Sequence, residues 1–259
     1  MIRRASDAAP LAGWTVISLR PRGQHAGLRA AAARVGAGVL ALSPLAIEPR
    51  SDAASRQALR EALDADLVLF TSPNAVRAAA VLRRLGNARG RPVLAVGDGT
   101  RRALQRLGVD AQSPTRMESE GLLAVPALRQ IAGRTIGLVT APGGRNRLAP
   151  ALRASGAEVR RADVYDRTPL AITAARWQAL ATVLATPEHV VLALSSAEAL
   201  DAMLRQRPAQ LAPRLRRIAV SAASERLAQA ARDAGFRRIT IAPDARPASL
   251  LRAAVDAFV

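Results

Sequence analysis

Short apolar runs alternate with helix-forming segments along the whole chain, and this alternation constrains the fold more than any other feature. Six such runs read WTVISL (14–19), DLVLFTS (66–72), PVLAVG (92–97), RTIGLVT (134–140), HVVLALSS (189–196) and RIAVS (217–221). The segments that follow predict helices at 24–34, 73–85, 100–107, 146–154, 197–205 and 224–234, most of which end at a glycine. Strands that are apolar on both faces and alternate with helices are typical of parallel sheets covered on each side. The predicted fold class is therefore α/β.

The alternation also repeats along the chain at similar intervals. Thr71-Ser72-Pro73 and Ser195-Ser196-Ala197 are separated by 124 residues, and so are GDGT at 97–100 and SAAS at 221–224. A third pair, LRAAAARVG and LAPALRASG, is similar at an offset of 120 residues. Three matches in the same order indicate two similar halves, each made of three strand-turn-helix units.

Two extended segments that contain proline stand at equivalent places in this repeat. They read VLALSPLAIEP in the first half and EVRRADVYDRTP in the second. If they lie side by side as linkers, at about 39–49 and 157–169, the chain crosses to a second domain and later returns. We therefore expect one domain made of 1–41 and 168–259, a second made of 42–167, and a cleft between them.

The charge of the chain restricts its partners. The formal net charge is +18, and all 38 basic residues are arginine. A field of this sign favours polyanions, either nucleic acid or a small molecule with several carboxylates. Aromatic residues make up only 2% of the chain, and no basic stretch is interleaved with them for base stacking, so nucleic acid is disfavoured.

Other residue types exclude further classes. The chain has no cysteine, so it contains neither disulfides nor thiolate metal sites. His25 and His189 lie far apart near the starts of predicted elements, where we expect solvated imidazoles and no metal. No apolar run approaches the ~18 residues of a membrane span, and the N-terminal segment lacks the apolar core of a secretory signal. We expect a cytoplasmic protein without a membrane partner.

Small and hydroxyl-bearing residues fill the turns that follow the predicted strands. Helix N-termini at these turns attract carboxylates or phosphates through unpaired N–H groups and the helix dipole. Candidate N-caps are Thr71 or Ser72, Thr100, Ser196 and Ser224, and a further turn, TAPGGRNR, exposes backbone beside Arg145. A hydroxyl at such a helix start is as often only a helix cap as it is a ligand contact. No GxxxxGK[ST] or complete GxGxxG pattern is present, so a nucleotide is disfavoured.

Candidate catalytic groups are few. No Ser/His/Asp set is evident, and the one tyrosine, Tyr165, lies in the second linker. A single tyrosine is more often part of a core or a surface than a catalytic residue, but its place at the predicted domain junction favours a functional role.

In order along the chain, several motifs resemble the uroporphyrinogen-III synthase family. They are Arg20-Pro21 before a helix, FTSPNAV (70–76), AVGDGT (95–100), ESEGLL (118–123), VYDRTP (164–169), LSSAEAL (194–200) and IAVSAASERLAQAARDAGF (218–236). The chain departs from the family at 221–224, where SAAS replaces the usual Gly-Pro-Thr-Thr.

This resemblance implies two flavodoxin-like lobes with parallel sheets, joined by a two-stranded linker ladder. It implies a lyase that cyclises hydroxymethylbilane, a linear tetrapyrrole with eight carboxylates, to uroporphyrinogen III. The terminal hydroxyl leaves as water, and the last pyrrole is inverted through a spiro intermediate. No cofactor or metal is implied, and we expect a monomer.

The resemblance also implies roles for particular residues. The Tyr165 phenol would assist departure of the hydroxyl. Substrate carboxylates would be bound by Thr71, Ser72, Asn74, Thr100, Ser196, Ser224, Arg20 and Arg145. A two-lobed binding protein for an anionic small molecule, without turnover, is the alternative that the sequence leaves open.

Overall fold

A computed structural model describes residues 9–86, 90–113, 128, 130–143 and 148–259. The chain divides into two compact units: the first is Met1–Ala46 with Thr168–Val259, and the second is Ile47–Arg167. None of the helices in the described ranges has the length and apolar character needed to cross a membrane.

The first unit contains a five-stranded parallel sheet. Its strands are β1 (Thr15–Ser18), β2 (Gly38–Ala41), β9 (Val190–Leu194), β10 (Ala219–Ala222) and β11 (Arg238–Ile241). Its helices are α1 (Ala26–Arg34), α6 (Ala174–Val183), α7 (Ala197–Gln206), α8 (Ala212–Leu215), α9 (Glu225–Asp233) and α10 (Pro247–Phe258). The strand order is β11-β10-β9-β1-β2, which is the flavodoxin-like order.

Apolar side chains cover both faces of this sheet, because neighbouring residues of a strand point to opposite faces. Val16 packs with residues of α1 and α10, whereas Ile17 packs with residues of α6, α7 and α9. The continuous apolar runs of the sequence therefore reflect burial on two sides.

The second unit contains a four-stranded parallel sheet. Its strands are β4 (Leu67–Phe70), β5 (Val93–Ala95), β6 (Thr135–Thr140) and β7 (Glu158–Asp163), in the order β5-β4-β6-β7. Its helices in the described ranges are α2 (Ala53–Leu63), α3 (Pro73–Leu82), α4 (Asp98–Gln105) and α5 (Leu148–Ala154). Helices α2, α3 and α4 contribute to the core on one face, and α5 contributes to the core on the other.

Strands β3 (Leu45–Pro49) and β8 (Tyr165–Pro169) form a separate two-stranded sheet. The amide of Arg50 donates to the carbonyl of Val164, and the amide of Leu170 donates to the carbonyl of Pro44. Residue numbers rise along one strand as they fall along the other, so the pair is antiparallel. The predicted α/β class, with parallel sheets and a two-stranded ladder, is confirmed.

The internal repeat is present, but its second turn is shifted. Ser72 and Ser196, 124 residues apart, cap α3 and α7. The amides of Val96 and Ala223 make equivalent bonds to the carbonyls that end β4 and β9, and these residues are 127 apart. The structural counterpart of Ser224 is therefore Gly97, and the predicted equivalence of Thr100 with Ser224 is wrong.

His25 is buried, so the expectation that its imidazole is solvated is wrong. Its side chain is 4% exposed. Nδ1 lies 2.8 Å from the Ser18 hydroxyl at the end of β1, and Nε2 lies 2.6 Å from the Ser43 hydroxyl between β2 and β3. Burial lowers the pKa of His25, and the guanidinium groups of Arg29, Arg20 and Arg176 lower it further. The buried ring therefore stays neutral at neutral pH.

We expect the first unit to lose stability as the pH falls through 6.5, the ordinary pKa of histidine. The unfolded chain then binds a proton at position 25 that the folded chain does not, so the free energy of unfolding decreases. Urea midpoints at pH 7.5 and 5.5 should differ less for His25→Gln than for the unsubstituted chain. An equal pH dependence in the two proteins contradicts the prediction.

Candidate functional site

The carboxyl ends of β4 and β6 form the point at which the strand order of the second unit reverses. The chain leaves β4 toward β5 on one side, whereas it leaves β6 toward β7 on the other. Open α/β sheets bind ligands at such reversal points, beyond the carboxyl ends of the strands. Thr71 and Thr140 stand there, and the Thr71 hydroxyl donates to the Thr140 hydroxyl at 3.0 Å.

Helix α3 begins at this point and directs its N-terminus toward the sheet edge. The Ser72 hydroxyl accepts a bond from the amide of Ala75 at 3.1 Å, and Pro73 occupies the first helical position. Proline suits this position because its missing N–H would have no helical partner. The Asn74 side chain accepts a bond from the guanidinium of Arg77. Thr71, Ser72 and Asn74, which the sequence places in one predicted turn, lie at the start of α3.

Tyr165 reaches the same turn from β8. Its ring is 4% exposed and packs in the core of the second unit, which fixes its position. Its phenol oxygen lies 3.3 Å from the Ser72 hydroxyl oxygen. The structure thus brings the predicted catalytic tyrosine into contact with one predicted binding residue, Ser72, in the turn that also contains Thr71 and Asn74.

A second polar group approaches the same phenol oxygen. Arg167, two residues further along β8, has Nη1 3.4 Å from the phenol oxygen and its Cζ 5.8 Å from the ring centroid. Its Nη2 donates to the carbonyl of Pro142, in the turn after β6, at 3.2 Å. The Tyr165 oxygen therefore lies between a hydroxyl and a guanidinium.

An ion pair in the ladder holds β8 beside this turn. Arg50 donates to both carboxylate oxygens of Asp166, at 2.8 and 2.9 Å. This pair lowers the pKa of Asp166 and raises that of Arg50, so both groups stay charged. Two parallel bonds of this kind restrict geometry more than one does. Asp166 lies between Tyr165 and Arg167 in the chain, so the pair constrains both.

The surroundings of the turn favour an anion. Burial lowers the pKa of Arg77, and the nearby Arg106 lowers it further, but an arginine remains charged at neutral pH. Asp163, at the end of β7, is paired with Arg161 at 2.9 Å. Together with the positive end of the α3 dipole, these charges favour a carboxylate at the carboxyl edge of the sheet.

In the first unit, Arg20 and Ser196 follow the adjacent strands β1 and β9, where that sheet reverses its order. The Ser196 hydroxyl caps α7, with the Ala199 amide at 3.2 Å. Arg20 is partly buried, which lowers its pKa, and its Nη2 donates to the carbonyl of Ala245 at 3.1 Å. Ser224 caps α9, where the amide of Leu227 donates to its hydroxyl at 3.4 Å.

The remaining two predicted binding residues are Thr100 and Arg145. Thr100 is inside α4, is 4% exposed and does not cap the helix, because the N-cap is Gly97. The prediction of Thr100 as a cap is therefore wrong. Arg145 lies outside the described residues.

Thr140 and Arg167 belong to the site but are not among the residues predicted from the sequence motifs. Thr140 ends the apolar run 134–140, and the alternation of a strand places Arg167 on the same face as Tyr165. Both signals were present in the sequence.

Comparison with known proteins assigns the chain to a family. The family model for uroporphyrinogen-III synthase HemD matches residues 27–252. The chain belongs to the uroporphyrinogen-III synthase family. The uroporphyrinogen-III synthase of Salmonella typhimurium is 36% identical over 200 residues, which cover 73% of this chain and 78% of the relative. The assignment made from the sequence motifs, to the enzymes named uroporphyrinogen-III synthase, is confirmed.

Solved structures of uroporphyrinogen-III synthases share the fold. A mutant of the Thermus thermophilus enzyme is similar with a TM-score of 0.59 at 22% identity, covering 92% of this chain and 96% of the other. The Helicobacter pylori enzyme is similar with a TM-score of 0.63 at 15% identity, covering 94% and 98%. At these identities the likeness concerns the fold of the family.

Proposed function

We propose that this chain cyclises hydroxymethylbilane to uroporphyrinogen III with loss of water and inversion of the last pyrrole, and that Tyr165 is its catalytic residue. The observation that carries the proposal is the position of the phenol oxygen at the reversal point of the second sheet, beside the N-terminus of α3. The membership of the chain in the synthase family supports the same reaction.

The phenol of Tyr165 is proposed to protonate the departing hydroxyl. The proton moves to the hydroxyl oxygen, the C–O bond breaks with its electron pair on the water formed, and a pyrrole nitrogen supplies electrons to the methylene carbon. The methylene carbon bonds to the substituted α-carbon of the last pyrrole, the bond from that carbon to the preceding methylene bridge breaks, and the bridge bonds to the free α-carbon. That carbon loses its proton, which restores the Tyr165 phenol, so one water is released and no proton is consumed overall. General acid catalysis of this kind contributes about 10² to 10⁴ in rate.

The carboxylates of the substrate are proposed to bind at the carboxyl edges of both sheets. In the second unit the binding groups are the α3 N-terminus with Thr71, Ser72 and Asn74. In the first unit they are Arg20, Ser196 and Ser224, each at the end of a strand or the start of a helix. A net charge of +18 and helix N-termini suit an octa-anion. Thr100 is not proposed as a binding residue because it is buried, and the proposed binding role of Arg145 rests on the sequence alone.

The enzyme is proposed to act as a monomer in the cytoplasm without a cofactor. One copy of the chain supplies Tyr165, its hydrogen-bond partners and the α3 N-terminus, so the proposed chemistry needs no second copy. The hydroxyl leaves with a proton from the phenol, and no electrons are exchanged with an external group.

The isomer of the product tests the function. The bilane also cyclises unaided to the isomer in which the last pyrrole is not inverted, type I. Purified protein mixed with fresh hydroxymethylbilane should give mainly type III, separated by chromatography after oxidation to porphyrins. Protein-free and heat-denatured samples should give type I. Mainly type I with native protein, together with saturable binding of the bilane, would instead support the non-enzymatic binding protein.

A further inference from the structure

The guanidinium of Arg167 lies against the proposed acid, Tyr165. Its Nη1 lies 3.4 Å from the Tyr165 oxygen, its Cζ lies 5.8 Å from the ring centroid, and its Nη2 is held by the carbonyl of Pro142. Pro142 precedes Gly143, whose φ of +72° makes the sharp turn that presents this carbonyl. Groups in the turn after β6 and on β8 thus contact the guanidinium.

Hydrogen-bond chemistry gives the direction of the Tyr165 proton. A guanidinium carries donors only, so Arg167 can approach the phenol oxygen only by donating to a lone pair. The phenol proton must therefore point away from Arg167. The Ser72 hydroxyl oxygen lies 3.3 Å from the phenol oxygen, and either hydroxyl can donate to the other.

We propose that Arg167 is a positioning residue for the reaction: it fixes the orientation of the Tyr165 hydroxyl and stabilises the negative charge left on the oxygen when the proton is transferred. This inference rests on the proposed function. A donor fixed at the atom where charge develops lowers the barrier because it needs no rearrangement during the reaction. A residue that acts through the acid should change turnover more than substrate binding when it is lost.

A double-mutant cycle tests the inference. Arg167→Gln should lower kcat about tenfold, less than the loss of a well-formed oxyanion donor because the contact is long, with KM within about twofold. In a Tyr165→Phe background, which lacks the oxygen, Arg167→Gln should change kcat less than about twofold. Arg167→Lys keeps the charge, so its kcat should lie between those of the unsubstituted enzyme and Arg167→Gln.

Arg160→Gln is the matched control, because Arg160 lies on β7 and pairs with Glu158 at 3.0 Å. Its kcat should stay within about twofold of the unsubstituted value. Far-UV circular dichroism and thermal unfolding verify that each variant is folded. If turnover of the double variant is too slow to measure above unaided cyclisation, the single variants test the inference. It then requires kcat to fall from the unsubstituted enzyme to Arg167→Lys and further to Arg167→Gln, at constant KM.

The outcomes separate this inference from the proposed function. Equal losses from Arg167→Gln in both backgrounds overturn the inference and leave the role of Tyr165 intact. A raised KM at constant kcat also overturns it, since Arg167 would then bind the substrate directly. Full activity of Tyr165→Phe overturns the catalytic role of Tyr165 and the inference together, whereas mainly type I product from the unsubstituted protein overturns the proposed reaction.

Discussion

Tyr165→Phe should lower kcat for type III formation by about 10² to 10⁴ while the fold is preserved. The phenyl ring still fills the same core position, which is 4% exposed, and the substitution removes only the oxygen between Ser72 and Arg167. Loss of these long hydrogen bonds should cost at most about 1.5 kcal/mol in the free energy of unfolding. The measurement is single-turnover formation of type III, corrected for unaided cyclisation, with thermal unfolding in parallel.

Thr135→Val is a matched control for loss of a hydroxyl. Thr135 stands at the opposite end of β6 from Thr140, and its hydroxyl donates to the Asp66 carboxylate at 2.8 Å. This variant should lose stability but keep its turnover. The catalytic role of Tyr165 is contradicted if Tyr165→Phe turns over like the unsubstituted enzyme, or if both variants lose turnover to the same extent.

The sequence predicted the parts of the fold in which one residue property decides the structure. Strands buried on both faces must be apolar throughout, and β4, β6 and β9 stand out for this reason. Ser72 and Ser196 cap helices where the repeat predicts them, because a hydroxyl directly before a helix has a specific partner in its first turn.

Other elements carried a weaker local signal. The edge strand β11 reads RITI and is only partly buried, so it lacks a continuous apolar run. Strands β2 and β7 fall within the segments interpreted as linkers, because an extended linker and an edge strand share the same backbone conformation. Helix α6 buries only Leu180 fully, so its apolar stripe is narrow.

The candidate site also contains residues with a clear local signal in the sequence and residues without one. Thr100 was predicted as a cap because a hydroxyl precedes a basic helical segment, but a glycine in extended conformation, Gly97, caps the helix three residues earlier. Burial of His25 depends on Ser18 and Ser43, which reach it only in the fold. Contacts between distant segments, such as Tyr165 with Ser72, require the register of the ladder, which no local pattern contains.

Gly137→Ala should destabilise the second unit by about 3 kcal/mol or more, the largest stability effect that we expect from a single methyl group. Gly137 lies in β6, on the face covered by α2. A Cβ built there would lie 1.8 Å from the carbonyl oxygen of Ala62 and 2.6 Å from its carbonyl carbon. Glycine within a strand often marks such a close approach of another backbone.

Gly38→Ala is the matched control, because Gly38 is also a strand glycine and its nearest neighbour to an added Cβ is the Trp14 carbonyl oxygen at 3.9 Å. Thermal unfolding followed by circular dichroism should show a midpoint lower by about 6–12 °C for Gly137→Ala and little change for Gly38→Ala. Equal midpoints in the two variants contradict the close approach of α2 to β6.

Because the clash is with backbone atoms, trimming a neighbouring side chain cannot relieve it, so α2 must move or separate from the sheet. A change at Leu59, which packs from α2 into the same core, should therefore fail to rescue Gly137→Ala.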